Sequence, residues 1–407
     1  MKKLLALIMC GIMTLSLAAC GSSTSEADPM ADKSWDEICD EAKGTTVTFY
    51  GWGGDEVRNE FLNTTVKDYL KKNYDLNLKV VGMDINDILS KLTSEKEGGE
   101  EEGSIDMIWI NGENFYSAKE NGLLYGPFTD KLPNMEKYID LEDPETLKDF
   151  CKDIDGYEAP YGKAQMVMFN DSAVTPETPS NAKEFKEYCK KYKGKVTYPA
   201  LPDFTGSAFV RNLIYDIVGW EQFQDMEADK ETVREAIEPA IKYLKELNPY
   251  LWNQGKTFPE SSTKLNAMFE DGEVVFNMNY SPYIVATGIE KGIYTHTTRS
   301  FIFDKGTIGN TNYMAIAKNS PNKAGALVAI NAIIGADIQC AQYEAQKTLP
   351  ALDESKLSDE EKAAFDAVNI GEGILSQKEL LSHRVPEMPA DIVPIIEEIW
   401  LEEVVGK

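Results

Sequence analysis

Thr45-Thr46-Val47-Thr48-Phe49-Tyr50-Gly51-Trp52-Gly53-Gly54 decides the architecture of this 407-residue chain. Six β-favouring residues run into a glycine cluster, the pattern of a strand that stops in a tight loop. Val57, Phe61, Leu62, Val66, Tyr69 and Leu70 then recur at helical spacing. Leu76, Leu78 and Val80 alternate as a second strand, and Ile85, Ile88, Leu89 and Leu92 mark a second helix behind Asp84 as its N-cap. Ile105–Ile110 is a third strand, entering Asn111-Gly112-Glu113-Asn114. Strand, helix, strand, helix, strand is the opening of an α/β fold with a parallel sheet covered on both faces. The intervening Glu95–Gly103 run, EKEGGEEEG, reads as a solvated charged loop.

The alternation continues. Gln165–Asn170 reads as a buried strand, and Asn181–Tyr192 as a helix. Lys195–Tyr198 is expected to be a strand and the stretch from Thr205 to near Gly219 a helix, with Thr205 a possible N-cap. Val233, Ile237, Ile241 and Leu244 stripe one helix; Leu265, Met268 and Phe269 stripe another, ending at Asp271-Gly272. Glu273–Met278 and Asn312–Ala317 read as strands, Pro321–Ile334 as an alanine-rich helix, and the remainder as helices broken by prolines. No internal repeat is visible.

Composition narrows the function. Lysine and arginine total 41 against 68 acids, a net charge of −27, which excludes the basic footprint of a nucleic-acid binder. With only His296 and His383, a histidine-rich metal site is excluded, and no cofactor is called for. No Gly-x-Ser-x-Gly, His-Glu-x-x-His, Walker A or calcium-loop pattern occurs. Glu113 with Glu270 or Asp271 is the one carboxylate pair to weigh for a secreted hydrolase, and nothing in their spacing assembles it. A repeat-free chain also lacks the usual mark of an adhesive surface protein. Cys39, Cys151, Cys189 and Cys340 lie far apart without a Cys-x-x-Cys, leaving one or two disulfides or four free thiols open.

The first residues set the compartment. Lys2 and Lys3 precede an apolar run from Leu4 to Ala19, too short for a membrane span and right for a secretory signal. Leu17-Ala18-Ala19-Cys20-Gly21 resembles the bacterial lipobox, which implies removal of 1–19 and lipidation of Cys20, with 20–33 a tether.

Further segments extend the resemblance. Asp106-Met107-Ile108-Trp109-Ile110-Asn111, Ala159–Asn170 (APYGKAQMVMFN), Met268–Asn279 (MFEDGEVVFNMN) and Ala315–Ala324 (AIAKNSPNKA) follow one another as in the substrate-binding lipoproteins of bacterial ABC importers, of the maltose-binding-protein-like class. Asn111–Phe115 and Leu124–Phe128 are most similar to the YnjB-like branch, associated with thiamine-type importers. The tryptophan common to sugar-binding relatives after the third of these segments is missing, where Asn279-Tyr280-Ser281-Pro282-Tyr283 stands instead.

The resemblance implies a type II periplasmic-binding-protein fold: two lobes, a hinge and an interlobe ligand cleft. Lobe 1 would comprise 34–165 and 312–350, lobe 2 would comprise 166–311, and 351–407 would pack on lobe 2 and the hinge. It further implies a monomer serving a membrane permease and an ATPase, with a small-molecule ligand. Sugar binding is the alternative to a thiamine-like or other organic cation.

Candidate ligand residues lie in loops after strands. Trp52 is placed to stack on a ring or cation and Gly53 to let backbone approach, unless the loop is simply a turn. Asn111, Glu113 and Asn114 would orient or neutralise a ligand, or cap a helix. Tyr161 sits at the expected hinge. Phe204, Thr205 and Ser207 open a helix whose free amides suit an anion. Asn279, Tyr280 and Tyr283, and Asn312 and Tyr313, face the cleft by the resemblance or serve as packing.

Overall fold

The computed structural model describes residues 28–406. The expected signal sequence and Cys20 lie outside the described residues. Residues 28–34 form a turn unit of their own, in which the Met30 amide donates to the Asp28 carboxylate at 2.9 Å. Everything from Trp35 onward is a second unit, built on two principal sheets.

The opening of the fold follows the hydrophobic pattern. Strands β1 (Thr46–Gly51), β2 (Asn77–Gly82) and β3 (Met107–Ile110) are parallel, with β1 in the middle. Between β1 and β2 the chain is helical over Glu56–Phe61, takes a π-turn at Leu62–Val66 and resumes over Lys67–Tyr74. The helix Ile85–Glu97 connects β2 to β3. One face of the sheet buries Tyr50, Ile108 and Ile110 with Ile88, Leu92 and Phe115. Asp106 fastens the entrance of β3: its carboxylate accepts from the Thr48 amide (2.7 Å) and hydroxyl (3.0 Å), the Ser320 hydroxyl (2.8 Å) and the Asn322 amide (3.1 Å).

Beyond β4 (Leu124–Tyr125), a short hairpin is formed by β5 (Lys148–Asp149) and β6 (Lys152–Asp153). Then β7 (Glu158–Gln165) and β8 (Val167–Asp171) follow with one residue between them, yet they belong to different sheets. β8 forms the small antiparallel sheet with β9 (Asn277–Asn279) and β10 (Thr298–Phe301). The chain returns through β11 (Thr307–Ala317), which pairs with β3, β4, β7 and the late strand β12 (Arg384–Val385). The large sheet therefore runs β12-β11-β3-β1-β2, with β4 and β7 also on β11. This is the two-lobe α/β arrangement expected from the sequence.

Gln165 pins the crossing. It is fully buried, and its amide donates to the Thr307 hydroxyl (3.2 Å) and the Leu380 carbonyl (2.9 Å). The next amide, of Met166, donates to the Ile308 carbonyl at 2.9 Å. Both inter-sheet connections are thus bonded to each other where they pass.

Around the small sheet, helices Ala182–Lys191, Phe204–Val218, Lys230–Leu247 and Ser262–Glu270 enclose Phe185, Tyr198, Phe209 and Phe276. The helix Val393–Trp400 closes this core with Trp400, whose indole donates to the Tyr198 hydroxyl at 3.2 Å.

Several expectations need correction. Lys195–Tyr198 joins no sheet: its carbonyls at Lys195 and Val196 are taken by the Val275 and Trp252 amides, both at 2.8 Å. Of Glu273–Met278, only the end enters β9, while β11 starts five residues before Asn312. Asp203, not Thr205, caps the helix Phe204–Val218, accepting from the Gly206 amide at 2.9 Å. Glu95 is not solvated: it lies inside the helix Ile85–Glu97 at 5% exposure, accepting from the Ser104 hydroxyl (2.8 Å) and the Asn319 amide (3.1 Å). The four described cysteines are free thiols.

Candidate functional site

Ligands of open α/β sheets bind beyond the carboxyl ends of the strands. At the end of β1, Trp52 stands 47% exposed and Gly53 is held by the Asn59 amide on its carbonyl at 2.8 Å. A β-carbon at Gly53 would lie 3.1 Å from the Gly82 Cα, so the loops after β1 and β2 touch through backbone that only glycine leaves open.

At the end of β3, Asn111 donates to the Asn312 side-chain oxygen at 2.9 Å, joining β3 to β11. Asn111 occupies the N-cap position of the helix Gly112–Glu120 without capping it by its side chain. Instead the Gly112 amide donates to the buried Asp149 carboxylate from the β5–β6 hairpin. Asn114 touches the Glu113 carboxylate at 3.5 Å. Glu113 is half-buried, and its charge acts on Asp149, Arg211, Glu387 and Glu397.

Those last three carry the small-lobe side. Arg211, 1% exposed in the helix Phe204–Val218, donates to Glu387 at 3.1 Å and to the Ser207 hydroxyl at 2.9 Å. Ser207 in turn donates to Glu397 at 2.7 Å, and the Tyr280 hydroxyl donates to Glu387. Burial pushes the Glu387 and Glu397 carboxyls up, against the pull of the Arg211 guanidinium. The same Arg211–Glu387 pair offsets what burial takes from the guanidinium, holding its pKa above the ordinary value.

On this base sits an aromatic ledge. Phe204, 38% exposed, lies 4.9 Å from the Tyr280 ring and 6.3 Å from Phe150, centroid to centroid. Phe150 reaches Gly112, where a β-carbon would meet its ring at 3.2 Å. A cavity of about 150 Å³ adjoins the ledge, between the β5–β6 turn, Gly309–Thr311 and Arg384–Glu387. The larger cavity, about 300 Å³, opens beside Phe269 and Tyr294 within the small lobe, and no ligand candidate lines it. Glu270 lines that cavity and acts on Tyr294, while Glu113 is not among the residues that line it.

The remaining candidates do other work in this conformation. Tyr161 is 2% exposed with its hydroxyl on Gln346 (3.0 Å), and burial pushes its pKa up to about 12. Thr205 is buried, and Asn279 accepts from the Ser281 amide at 2.8 Å. Tyr283 and Tyr313 have no exposed surface. Tyr283 packs on Tyr343, and Tyr313 donates to the Thr146 carbonyl at 2.9 Å.

Reading the sequence missed Phe150, Arg211, Glu387 and Arg58. A single arginine inside the apolar run AFVRNLIYDIV was the signal for Arg211. Nothing local distinguishes Glu387 among the prolines around it, or Arg58 from a surface charge in DEVRNEF.

Comparison with known proteins agrees with this fold. Protein YnjB of Escherichia coli K12 is 34% identical over 373 residues, 89% of each chain. An ABC transporter structure from Clostridium perfringens superposes with a TM-score of 0.61 at 20% identity, covering 88% of this chain and 98% of that one. The periplasmic binding protein AfuA of Actinobacillus pleuropneumoniae, bound to fructose-6-phosphate, gives 0.60 at 14% identity over 88% and 98%. A spermidine/putrescine ABC transporter protein of Listeria monocytogenes, its assignment provisional, gives 0.60 at 15% over 89% and 99%. Residues 64–367 match the model of the bacterial extracellular solute-binding proteins, and the chain belongs to that family.

Proposed function

We propose that the protein is the extracytoplasmic substrate-binding lipoprotein of an ABC importer. It captures a small organic ligand between its lobes and delivers it to a membrane permease coupled to an ATPase. Cys20 carries the lipid anchor, 20–33 is the tether, and the folded body works as a monomer. In this reading 34–165 with 312–350 form lobe 1 and 166–311 form lobe 2. The 351–407 segment braces lobe 2 and the hinge, in keeping with the place of Trp400 in the small-lobe core and of β12 on β11.

The ligand is a ring-bearing organic cation of the thiamine type. One observation carries this: of seven large apolar side chains left exposed among the described residues, two are aromatic, Trp52 and Phe204. Trp52 follows β1 and Phe204 opens the helix Phe204–Val218, and Phe204 rests on Tyr280 and on Phe150, whose ring lies against Gly112, the neighbour of Glu113. Aromatic faces and one carboxylate recognise a desolvated cation.

Isothermal titration of the full-length protein with thiamine, its phosphates, polyamines and a sugar set tests the reading. Trp52→Ala and Phe204→Ala should each weaken thiamine binding about ten-fold, the size of a desolvated cation–π contact, while melting as the wild type does. Unchanged affinity in both variants, or binding confined to sugars, rules the cation pocket out.

A further inference from the structure

We infer that Arg58 and Trp109 form an anion subsite at the carboxyl ends of β1 and β3, so that the ligand bears a carboxylate or phosphate group as well. The inference rests on the solute-binding reading and adds a second recognition element to it.

The chain contains five arginines. Arg211 pairs with Glu387, Arg384 with Glu145, and Arg234 with Glu402 and Glu403; Arg299 donates to the His296 and Thr298 carbonyls. Arg58 is 5% exposed, is in no ion pair among the described residues, and its buried Nε–H has no acceptor. Its guanidinium lies over the Trp109 ring at 4.7 Å from the centroid. The Trp109 indole N–H is itself buried and without an acceptor. Two orphaned donors of independent origin therefore meet at one place, although buried donors are nearly always satisfied.

The neighbours do not supply the missing acceptor. Asp55 is the acid whose charge reaches Arg58, but its side chain accepts from the Arg58 backbone amide at 3.0 Å. Tyr161, the other titratable group acting on Arg58, has its hydroxyl on Gln346. Space is kept open at Gly51: a β-carbon there would lie 3.1 Å from the Trp109 β-carbon and within 3.9 Å of both terminal guanidinium nitrogens. Burying a guanidinium without a partner is costly, and burial indeed lowers its pKa from the ordinary value. A bidentate oxyanion arriving with the ligand would satisfy the fork, with the indole N–H as an added donor.

The test uses the full-length wild type and Arg58→Met, with inorganic phosphate, acetate, thiamine and thiamine monophosphate as probes in a chloride buffer. Arg58→Met should melt close to wild type without ligand, because it removes an unpaired buried charge. Phosphate or acetate should raise the melting temperature of wild type only, and thiamine monophosphate should bind the variant at least 30-fold more weakly. Thiamine affinity should change less than three-fold. If phosphate and acetate are both silent on wild type, or act equally on the variant, the anion subsite is refuted whatever thiamine does. If they protect wild type alone while thiamine does not bind, the subsite stands and the cation reading falls.

Discussion

Replacing Glu387 separates a structural strut from a binding group. Its side chain is 3% exposed and holds three donors: Arg211 at 3.1 Å, the Tyr280 hydroxyl, and the Met388 amide at 3.4 Å. Glu387→Leu strands the Arg211 guanidinium at 2% exposure, and Arg211→Met strands the carboxylate. Breaking one side of a buried pair costs about 3–5 kcal/mol, whereas replacing both by apolar groups of similar size is close to neutral. In the double variant the Met388 amide and the Tyr280 hydroxyl lose their acceptor, and the larger debt is that of the hydroxyl, at about 1–3 kcal/mol. Adding Tyr280→Phe removes it and should bring the triple variant back toward wild type. Urea unfolding at pH 7.5 measures the wild type and all four variants. The double variant should be less destabilised than the sum of the singles by at least about 3 kcal/mol. Singles that each lose under about 1 kcal/mol, or a strictly additive double, would show that the aromatic ledge does not stand on this pair.

Asp149 and Glu158 are both fully desolvated, and burial holds their carboxyls well above the usual range. The folded state therefore keeps protons that the unfolded chain releases. This stabilisation is complete below the unfolded carboxyl pKa of about 4 and is lost as pH rises through the folded values. Wild type should melt higher at pH 5 than at pH 8; Glu158→Gln should flatten that difference and gain about 1–3 kcal/mol at pH 8, and an unaltered pH slope would contradict it. Asp106→Asn replaces an acceptor of four hydrogen bonds by a group that presents two donors to donors, so it should cost about 3 kcal/mol in urea unfolding; a loss below about 1 kcal/mol refutes that account. Cys20→Ser should move the protein from the membrane fraction to the soluble extracytoplasmic fraction, and continued membrane association would count against lipidation.

The parts of this fold legible in sequence were those governed by local rules. β1, β2 and β3 and their helices announced themselves because strand alternation and helical spacing are properties of a few neighbouring residues. Lys195–Tyr198 misled for the same reason: β-favouring composition reports a preference for extended backbone, while membership of a sheet is settled by which distant chain supplies the bonds. Here Val275 and Trp252 supply isolated bonds and no strand. Glu95 misled in the opposite direction, because a run of acids looks solvated until Ser104 and Asn319 are seen to fold back on one member of it.

The site divides along the same line. Trp52 and Phe204 were singled out because an aromatic in a glycine-rich loop or at the opening of a helix is unusual on local grounds alone. Tyr283 and Tyr313 sit beside loops of the same kind, yet their rings turn inward, a distinction made by packing partners such as Tyr343 and the Thr146 carbonyl, far away in sequence. Arg211 and Glu387 are 176 positions apart, so neither residue's neighbours could name the other. Arg58 is the limiting case. By the inference above its partner is one that the chain does not provide, and a sequence, which lists only what the chain has, gives it no mark. Only the full account of donors and acceptors in the folded protein brings it into view.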